Sequence, residues 1–187
     1  TNRAWCSKLP ALVKLFPDAK FVCCVRNVSW ILDSFERIIQ SNPLELSGMF
    51  GYDPSTTVYT RTSRLAGSDG VVGYSLDALR EAFFGPHADR LLLIDYEALV
   101  RNPEFTLRAL YEFVGQPWFK HDFNSLDYQA QEFDLALGTP NLHTVRSRVE
   151  WIERNSVLPP HVFERFSNDA FWTDPALNIN NVRVLLG

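Results

Sequence analysis

Residues 20–27 read Lys-Phe-Val-Cys-Cys-Val-Arg-Asn, an apolar run that ends in a charged and a polar side chain. Its length and its β-branched content predict a strand that is buried on both faces, as in a parallel sheet. The next residues, from Val28 to about Ile39, have the spacing of a helix, and Asn27 or Ser29 is a typical N-cap. The predicted inward stripe of this helix consists of Ile31, Phe35, Ile38 and Ile39.

A second strand and helix follow about seventy residues later. Residues 90–94 read Arg-Leu-Leu-Leu-Ile and predict another buried strand. A helix begins at Asn102-Pro103 and is closed by Gly115, because proline favours the first helical position and glycine the end. Residues 182–186 predict a short terminal strand. This alternation predicts an α/β fold with a parallel sheet flanked by helices, in a single domain over residues 1–187.

The remaining segments are less regular. Residues 41–74 are rich in Gly, Pro, Ser and Thr, and we interpret them as either partly helical or a functional lid. Ser75 is predicted to cap a helix over 76–84. Further helical signals lie near 149–154 and 159–166.

Composition excludes several classes of protein. A net charge of -4 argues against nucleic acid as a partner, because a polyanion is held by dense Lys and Arg. No apolar run is long enough for a membrane span, and no signal-peptide pattern opens the chain. The three cysteines, Cys6, Cys23 and Cys24, do not form a disulfide framework, and we expect the adjacent pair to be buried small hydrophobes. They favour a reducing, cytoplasmic compartment.

Arg26 and Ser34 are the first candidate site residues. Arg26 follows a buried strand at its carboxyl end, where open α/β sheets bind ligands, and Ser34 lies about two helical turns further on. A guanidinium and a hydroxyl at this spacing can grip one phosphate from two sides. The alternative is a solvated arginine at a strand end and a small residue at a helix contact. The residues alone leave both interpretations open.

A basic segment near the carboxyl end is the second candidate. In an extended segment Arg146 and Arg148 would face the same way and hold an anionic face, and the alternative is that both are surface charges. His143 is the one histidine close to this arginine cluster.

Residues 16–27 followed by Ser34 resemble the 3′-phosphate-binding motif of sulfotransferases that use 3′-phosphoadenylyl sulfate (PAPS). In that family a strand ends in Arg, and a Ser eight positions later contacts the 3′-phosphate. Residues 91–99 with Asn102-Pro103 are similar to the family's second pattern, in which a Tyr lies against the adenine end of the nucleotide. The helix that ends at Gly115 also resembles the family, so that the resemblance covers roughly residues 1–118.

The resemblance implies a P-loop-NTPase-like sulfotransferase fold and transfer of a sulfuryl group from PAPS to a hydroxyl or amine. It implies a small-molecule or glycan acceptor and no metal. The two motifs imply that Arg26, Ser34 and Tyr96 hold the nucleotide. The family also closes a basic carboxyl-terminal segment over the 3′-phosphate, which implies the same role for Arg146 and Arg148.

Two departures from the family pattern concern the phosphate loop and the general base. Family members open with a strand–loop–helix around the 5′-phosphate, whereas this sequence has no glycine before Gly48, so we expect a domain incomplete at its N-terminus. The position of the family's Thr-His pair reads Thr1-Asn2-Arg3, and an Asn side chain is not a base. The catalytic candidates are therefore His143 as a base and Arg3 as a residue that steadies the transferring group.

The sequence leaves two other functions open. A sulfotransferase-like module without activity would bind a partner through exposed aromatic residues, and Asn2 at the base position motivates that alternative. A P-loop nucleotide kinase would share the architecture and use Mg²⁺, although no Gly-rich loop with Lys-Ser or Lys-Thr is present in the sequence.

Overall fold

The computed structural model describes residues 2–128 and 130–187. The chain divides into two compact units, each built from separated segments. The first unit contains Thr1–Arg26, Tyr74–His121 and Ala170–Gly187, and the second contains Asn27–Gly73 and Asp122–Asp169. A single domain over residues 1–187 stays a prediction.

The first unit contains a parallel three-stranded sheet with the order β1-β2-β3. The strands are β1 (Phe21–Val25), β2 (Leu91–Asp95) and β3 (Arg183–Leu185). The predicted α/β fold with a parallel sheet is confirmed, including the short terminal strand. The central strand β2 pairs with β1 and β3, and its apolar residues Leu91 to Ile94 are buried.

The prediction that the first strand is buried on both faces is wrong. Burial alternates along β1, where Val22 is 39% exposed, Cys24 is exposed and Cys23 is half-buried. Within the described sheet β1 stands at the end of the strand order and pairs with β2 alone. Successive side chains of a strand point to opposite faces, so one face of β1 contacts the core and the other does not. Cys24 is therefore not a buried hydrophobe.

The described residues also form a series of α-helices. In chain order they are α1 (Leu9–Leu15), α2 (Val28–Ser41), α3 (Val58–Ala66), α4 (Val71–Phe83), α5 (Tyr96–Arg101), α6 (Pro103–Val114), α7 (Gln131–Ala136) and α8 (Pro160–Arg165). Short 3₁₀ helices cover Arg3–Lys8, Gly48–Phe50, Ala88–Arg90 and Phe171–Thr173. Within the described ranges no helix has the length and apolar character needed to span a membrane.

The helix predicted after Asn102 is confirmed as α6. Pro103 occupies its first turn, and Gly115 ends it in the left-handed conformation with φ of 71°. The short helix α5, which begins at Tyr96, was not predicted. Asp95 caps α5 by accepting a hydrogen bond from the Glu97 amide at 2.8 Å, so that Tyr96 is the first residue after both the strand and the cap.

The predicted inward stripe of α2 is wrong in its details. The residues that α2 buries most are Val28, Ser29, Leu32, Asp33 and Glu36, whereas the isoleucines are half-buried. The two carboxylates tolerate burial because arginines pair with them. Glu36 Oε1 lies 2.6 Å from Arg61 Nη2, and Asp33 has arginine partners of its own.

Residues 41–74 are partly helical, which confirms one of the two interpretations of this segment. Ser75 is not a cap, because α4 begins four residues earlier, at Val71. The helix expected near 149–154 does not form, since these residues, all of them described by the structure, have no helical turn. The one expected near 159–166 is confirmed as α8, whereas α7 was not predicted.

Candidate functional site

The carboxyl ends of β1 and β2 bring Arg26 and Tyr96 together. Val25 and Asp95 are partners in the parallel register, so the residues that follow them leave the sheet at the same edge. The guanidinium carbon of Arg26 lies 4.0 Å from the centroid of the Tyr96 ring, the distance of a cation–π contact. This edge therefore presents a cation and an aromatic face side by side.

Asp95 adds a carboxylate to the same edge. Burial raises the pKa of Asp95, and the nearby positive charge of Arg26 opposes that shift. The same side chain caps α5, which fixes the start of that helix. The arginine at the strand end thus contacts an aromatic ring and acts electrostatically on an acidic group of the next strand.

Ser34 lies in the second unit, on α2, and its hydroxyl is hydrogen-bonded on both sides. The Oγ donates to the Trp30 carbonyl at 2.9 Å and accepts from Arg154 Nη2 at 2.8 Å. Arg154 also lies 3.1 Å from Asp33 Oδ2. The structure therefore places a guanidinium directly on the hydroxyl that the sequence predicted as a phosphate ligand.

Asp33 holds this cluster in place from inside the second unit. Its side chain is fully buried, accepts from Arg37 Nε at 2.9 Å, and accepts from the Val157 amide at 2.7 Å. Burial by itself would raise the pKa of Asp33, but the hydrogen bonds from Arg37 and Val157 and the charge of Arg154 bring it below its usual value. Two guanidiniums against one carboxylate leave a net positive charge beside Ser34.

Arg154 was not among the predicted site residues. Its only signal was its position eight residues beyond Arg146, in the same basic carboxyl-terminal part of the chain. The convergence of Arg26 and Ser34 on one phosphate stays a prediction, because the two residues belong to different units.

Arg146 and Arg148 lie on an exposed segment of the second unit. Backbone amides of Leu126 and Val149 donate to Ser147 and Phe123 at 2.8 Å each, so residues 145–149 run alongside residues 123–128. Arg148 lies 4.0 Å from Glu150, and both side chains are largely exposed. A nucleotide-binding role for these two arginines stays a prediction.

His143 forms a close pair with Asp134, a buried residue of α7. The imidazole Nδ1 lies 2.5 Å from Asp134 Oδ1, and the His143 amide donates to Oδ2 at 2.9 Å. The Asp134 side chain is 1% exposed, while that of His143 is 42% exposed. Burial alone would raise the pKa of Asp134, and the hydrogen bonds from His143 lower it below its usual value. A carboxylate on Nδ1 favours the tautomer that leaves Nε2 as an acceptor.

Arg3 lies at the start of the 3₁₀ helix Arg3–Lys8, beside Asn2, whose side chain caps the Ala4 amide at 2.8 Å. Thr1, the first residue of the position that resembles the Thr-His pair, lies outside the described residues. Asn2, Arg3 and Lys20 supply polar groups to a mostly apolar cavity of about 670 Å³ in the first unit. A catalytic role for Arg3 stays a prediction.

No group of three or more His, Cys, Asp or Glu side chains is arranged to hold a metal ion within residues 2–128 and 130–187.

Comparison with known protein families identifies a relationship for this chain. The model of the sulfotransferase family matches residues 4–120, which is more than half of the chain and includes Arg26, Ser34 and Tyr96. No curated protein and no solved structure matches this sequence. On the strength of the family match, and in agreement with its parallel α/β sheet, this chain belongs to the sulfotransferase family.

Proposed function

We propose that this chain binds PAPS and takes part in the transfer of its sulfuryl group to a hydroxyl or amine. Membership of the sulfotransferase family supports a transferase that handles sulfuryl groups. The observation that carries the proposal is the contact of Arg26 with Tyr96 at the carboxyl ends of two neighbouring parallel strands. Ligands of open α/β sheets bind at this edge.

The residues present fit a nucleotide that carries a phosphate on its ribose. A guanidinium offers charge and a planar fork of donors to phosphate oxygens, and an aromatic ring offers a face for a purine. Arg26 and Tyr96 would hold the donor at the sheet edge. Ser34 offers a hydroxyl and Arg154 a second guanidinium. Arg146 and Arg148 add positive charge.

PAPS supplies the sulfuryl group and leaves as adenosine 3′,5′-bisphosphate. The protein's share of the chemistry is to position the reactants and to stabilise developing negative charge with fixed cations. We propose that His143 takes the proton of the acceptor on Nε2, and that the carboxylate of Asp134 stabilises the imidazolium through Nδ1. Arg3 is the candidate for steadying the transferring group. The acceptor is a small molecule or a glycan, and the compartment is cytoplasmic.

Calorimetric titration with adenosine 3′,5′-bisphosphate tests the donor. We expect the unaltered chain to bind it, and Arg26→Ala to weaken binding about thirtyfold, because a charge-assisted hydrogen bond contributes roughly 2 kcal/mol. Arg154→Lys keeps the positive charge beside Asp33 but removes the planar guanidinium, and we expect the affinity for the bisphosphate to fall about tenfold. Arg101→Ala is the matched control, since it removes an exposed arginine that pairs with Glu97 one helix turn beyond the sheet edge.

Thermal unfolding of each variant in the absence of nucleotide verifies that the fold is retained. Equal affinity of the Arg26→Ala variant and the unaltered chain would remove the basis of the proposal. Stabilisation by ATP with Mg²⁺ in place of the bisphosphate would favour a kinase, and binding of neither nucleotide would favour a module without activity.

A further inference from the structure

Two of the three cysteines are in contact across the first unit. The sulfur of Cys6, on the 3₁₀ helix Arg3–Lys8, lies 3.6 Å from the sulfur of Cys23, on β1, and both thiols are free. Both side chains are half-buried and pack against the core of that unit. A disulfide closes at about 2.05 Å, so the two sulfurs need to approach by less than the width of one atom.

Cys24 provides the contrast. It follows Cys23 directly on β1, is exposed, and points to the opposite face because side chains alternate along a strand. The contact between Cys6 and Cys23 is therefore specific to one of two adjacent thiols.

The two thiols differ in reactivity, as an attacking and a resolving thiol do. The hydrogen bond with the Cys23 thiol lowers the pKa of Cys6, and the same hydrogen bond, together with burial, raises the pKa of Cys23. The thiolate is the reactive form of cysteine, so Cys6 is the better nucleophile of the two. Both residues line the cavity of about 670 Å³, which is large enough to admit a molecule as small as a peroxide.

We propose that Cys6 and Cys23 are a redox modification site that hydrogen peroxide converts to a disulfide. The Cys6 sulfur attacks one oxygen of the peroxide, an S–O bond forms, the O–O bond breaks, and one water leaves. The Cys23 sulfur then attacks the Cys6 sulfur, an S–S bond forms, the S–O bond breaks, and the hydroxide leaves with the Cys23 proton as a second water. The two thiols lose two electrons and the peroxide gains them.

The disulfide would tie the 3₁₀ helix to the strand that leads to Arg26. The two cysteines are 17 positions apart, so the closed loop also contains α1. Cross-linking a loop of this length restricts the unfolded chain, and we expect the melting temperature to rise by about 5–10 °C. Asn2 and Arg3, which line the same cavity, would be held next to β1.

Peptide mapping under non-reducing conditions tests the proposal on the unaltered chain, so no variant has to fold. After treatment of the reduced protein with hydrogen peroxide we expect one cross-linked peptide pair containing Cys6 and Cys23, lighter by two hydrogens. Labelling with a maleimide should fall from three thiols to one, and dithiothreitol should restore all three. The melting temperature should rise with oxidation and fall with reduction.

Variants assign the reaction to the pair. Cys24→Ser should retain the cross-link, and Cys6→Ser should lose it together with the rise in melting temperature. Three labelled thiols after peroxide treatment would overturn the proposal. So would a cross-link that contains Cys24, or a sulfinic acid at Cys6 without any cross-link to Cys23.

Discussion

His143 and Asp134 form an arrangement that suits proton transfer. The carboxylate is buried and contacts both the ring Nδ1 and the amide of His143, which fixes the orientation of the imidazole. The side chain of His143 remains 42% exposed, in contrast to the buried carboxylate. A histidine held in this way differs from an ordinary surface histidine, whose ring rotates freely and has no fixed tautomer.

We expect His143→Gln to lower kcat for sulfuryl transfer by about a hundredfold or more, because general base catalysis contributes 10²–10⁴. The affinity for adenosine 3′,5′-bisphosphate should stay the same, since the change leaves in place the arginines that we propose to bind the nucleotide. The release of that bisphosphate from PAPS provides the measurement, with an unactivated alcohol or phenol as the acceptor, because such a hydroxyl is protonated at neutral pH and needs a base.

Asp134→Asn is the companion variant for the same assay. It keeps the shape of the side chain and removes the charge that stabilises the imidazolium, so kcat should fall. Loss of bisphosphate affinity in step with kcat, in either variant, would reduce the pair to a structural role in the loop after α7.

The surroundings of Ser34 show how far single residues can be predicted from sequence. Arg26 and Ser34 could be selected because each stands at a fixed offset from a strand that the apolar pattern reveals, whereas Tyr96 was selected through the resemblance to the sulfotransferase pattern. The Arg154 contact could not be selected, because the two side chains are 120 positions apart and no local pattern links them. The same limit applies to Asp134 and His143, whose pairing depends on the turn that follows α7.

At the scale of elements, the first turn of α4 lies very close to the backbone at the end of α3. Gly73 lies in its first turn, and a Cβ placed there would stand 2.1 Å from the Gly67 carbonyl oxygen and 2.3 Å from that of Ala66. Both contacts are with backbone atoms, which cannot rotate away as a side chain does. The end of α3 and the start of α4 therefore approach each other at a position where only glycine fits.

We expect Gly73→Ala to destabilise the chain by about 1–3 kcal/mol, as overpacking at a tight contact does. This sign is opposite to helix propensity, which favours Ala over Gly by about 1 kcal/mol. Urea denaturation monitored by circular dichroism measures the change. Glu81→Ala, an exposed position on the same helix, is the control and should be nearly neutral. A stabilised Gly73→Ala variant would contradict the close contact.

Elements were predicted best where one local signal was sufficient. Pro103 and Gly115 fixed the two ends of α6, and the leucines of β2 fixed the central strand. The inward face of α2 was not predictable, since Asp33 and Glu36 are buried only because Arg37, Arg154 and Arg61 pair with them. The exposed face of β1 was not predictable either, because the sequence does not give the order of strands.

At the scale of the whole molecule, buried carboxylates determine how stability responds to acid. Asp33 and Asp134 have lowered pKa values in the folded chain, so each adds stability above its ordinary pKa of about 3.9 and loses it as the pH falls through the lower folded value. Asp95 has a raised pKa, so its charged form costs stability at neutral pH. That cost disappears as the pH falls through the raised value. The two kinds of carboxylate therefore act in opposite directions during acidification.

A pair of charge-removing variants separates these two contributions. Asp33→Asn leaves Arg37 and Arg154 without their anion and should lower the free energy of unfolding at pH 7 by about 2 kcal/mol. Breaking a deeply buried ion pair costs about 3–5 kcal/mol. The expected loss is smaller here because the two arginine side chains are 33% and 25% exposed. Asp95→Asn keeps a capping side chain for α5 and should be neutral or stabilising at pH 7. Urea denaturation at pH 7 and at about pH 3, which is below the ordinary carboxyl pKa of about 3.9, measures both. Relative to the unaltered chain, Asp33→Asn should lose less stability on acidification and Asp95→Asn should lose more, because each variant lacks one of two opposite responses to protonation. Asp33 and Asp95 are assigned opposite pKa shifts. That assignment would be wrong if both variants responded to acid in the same direction.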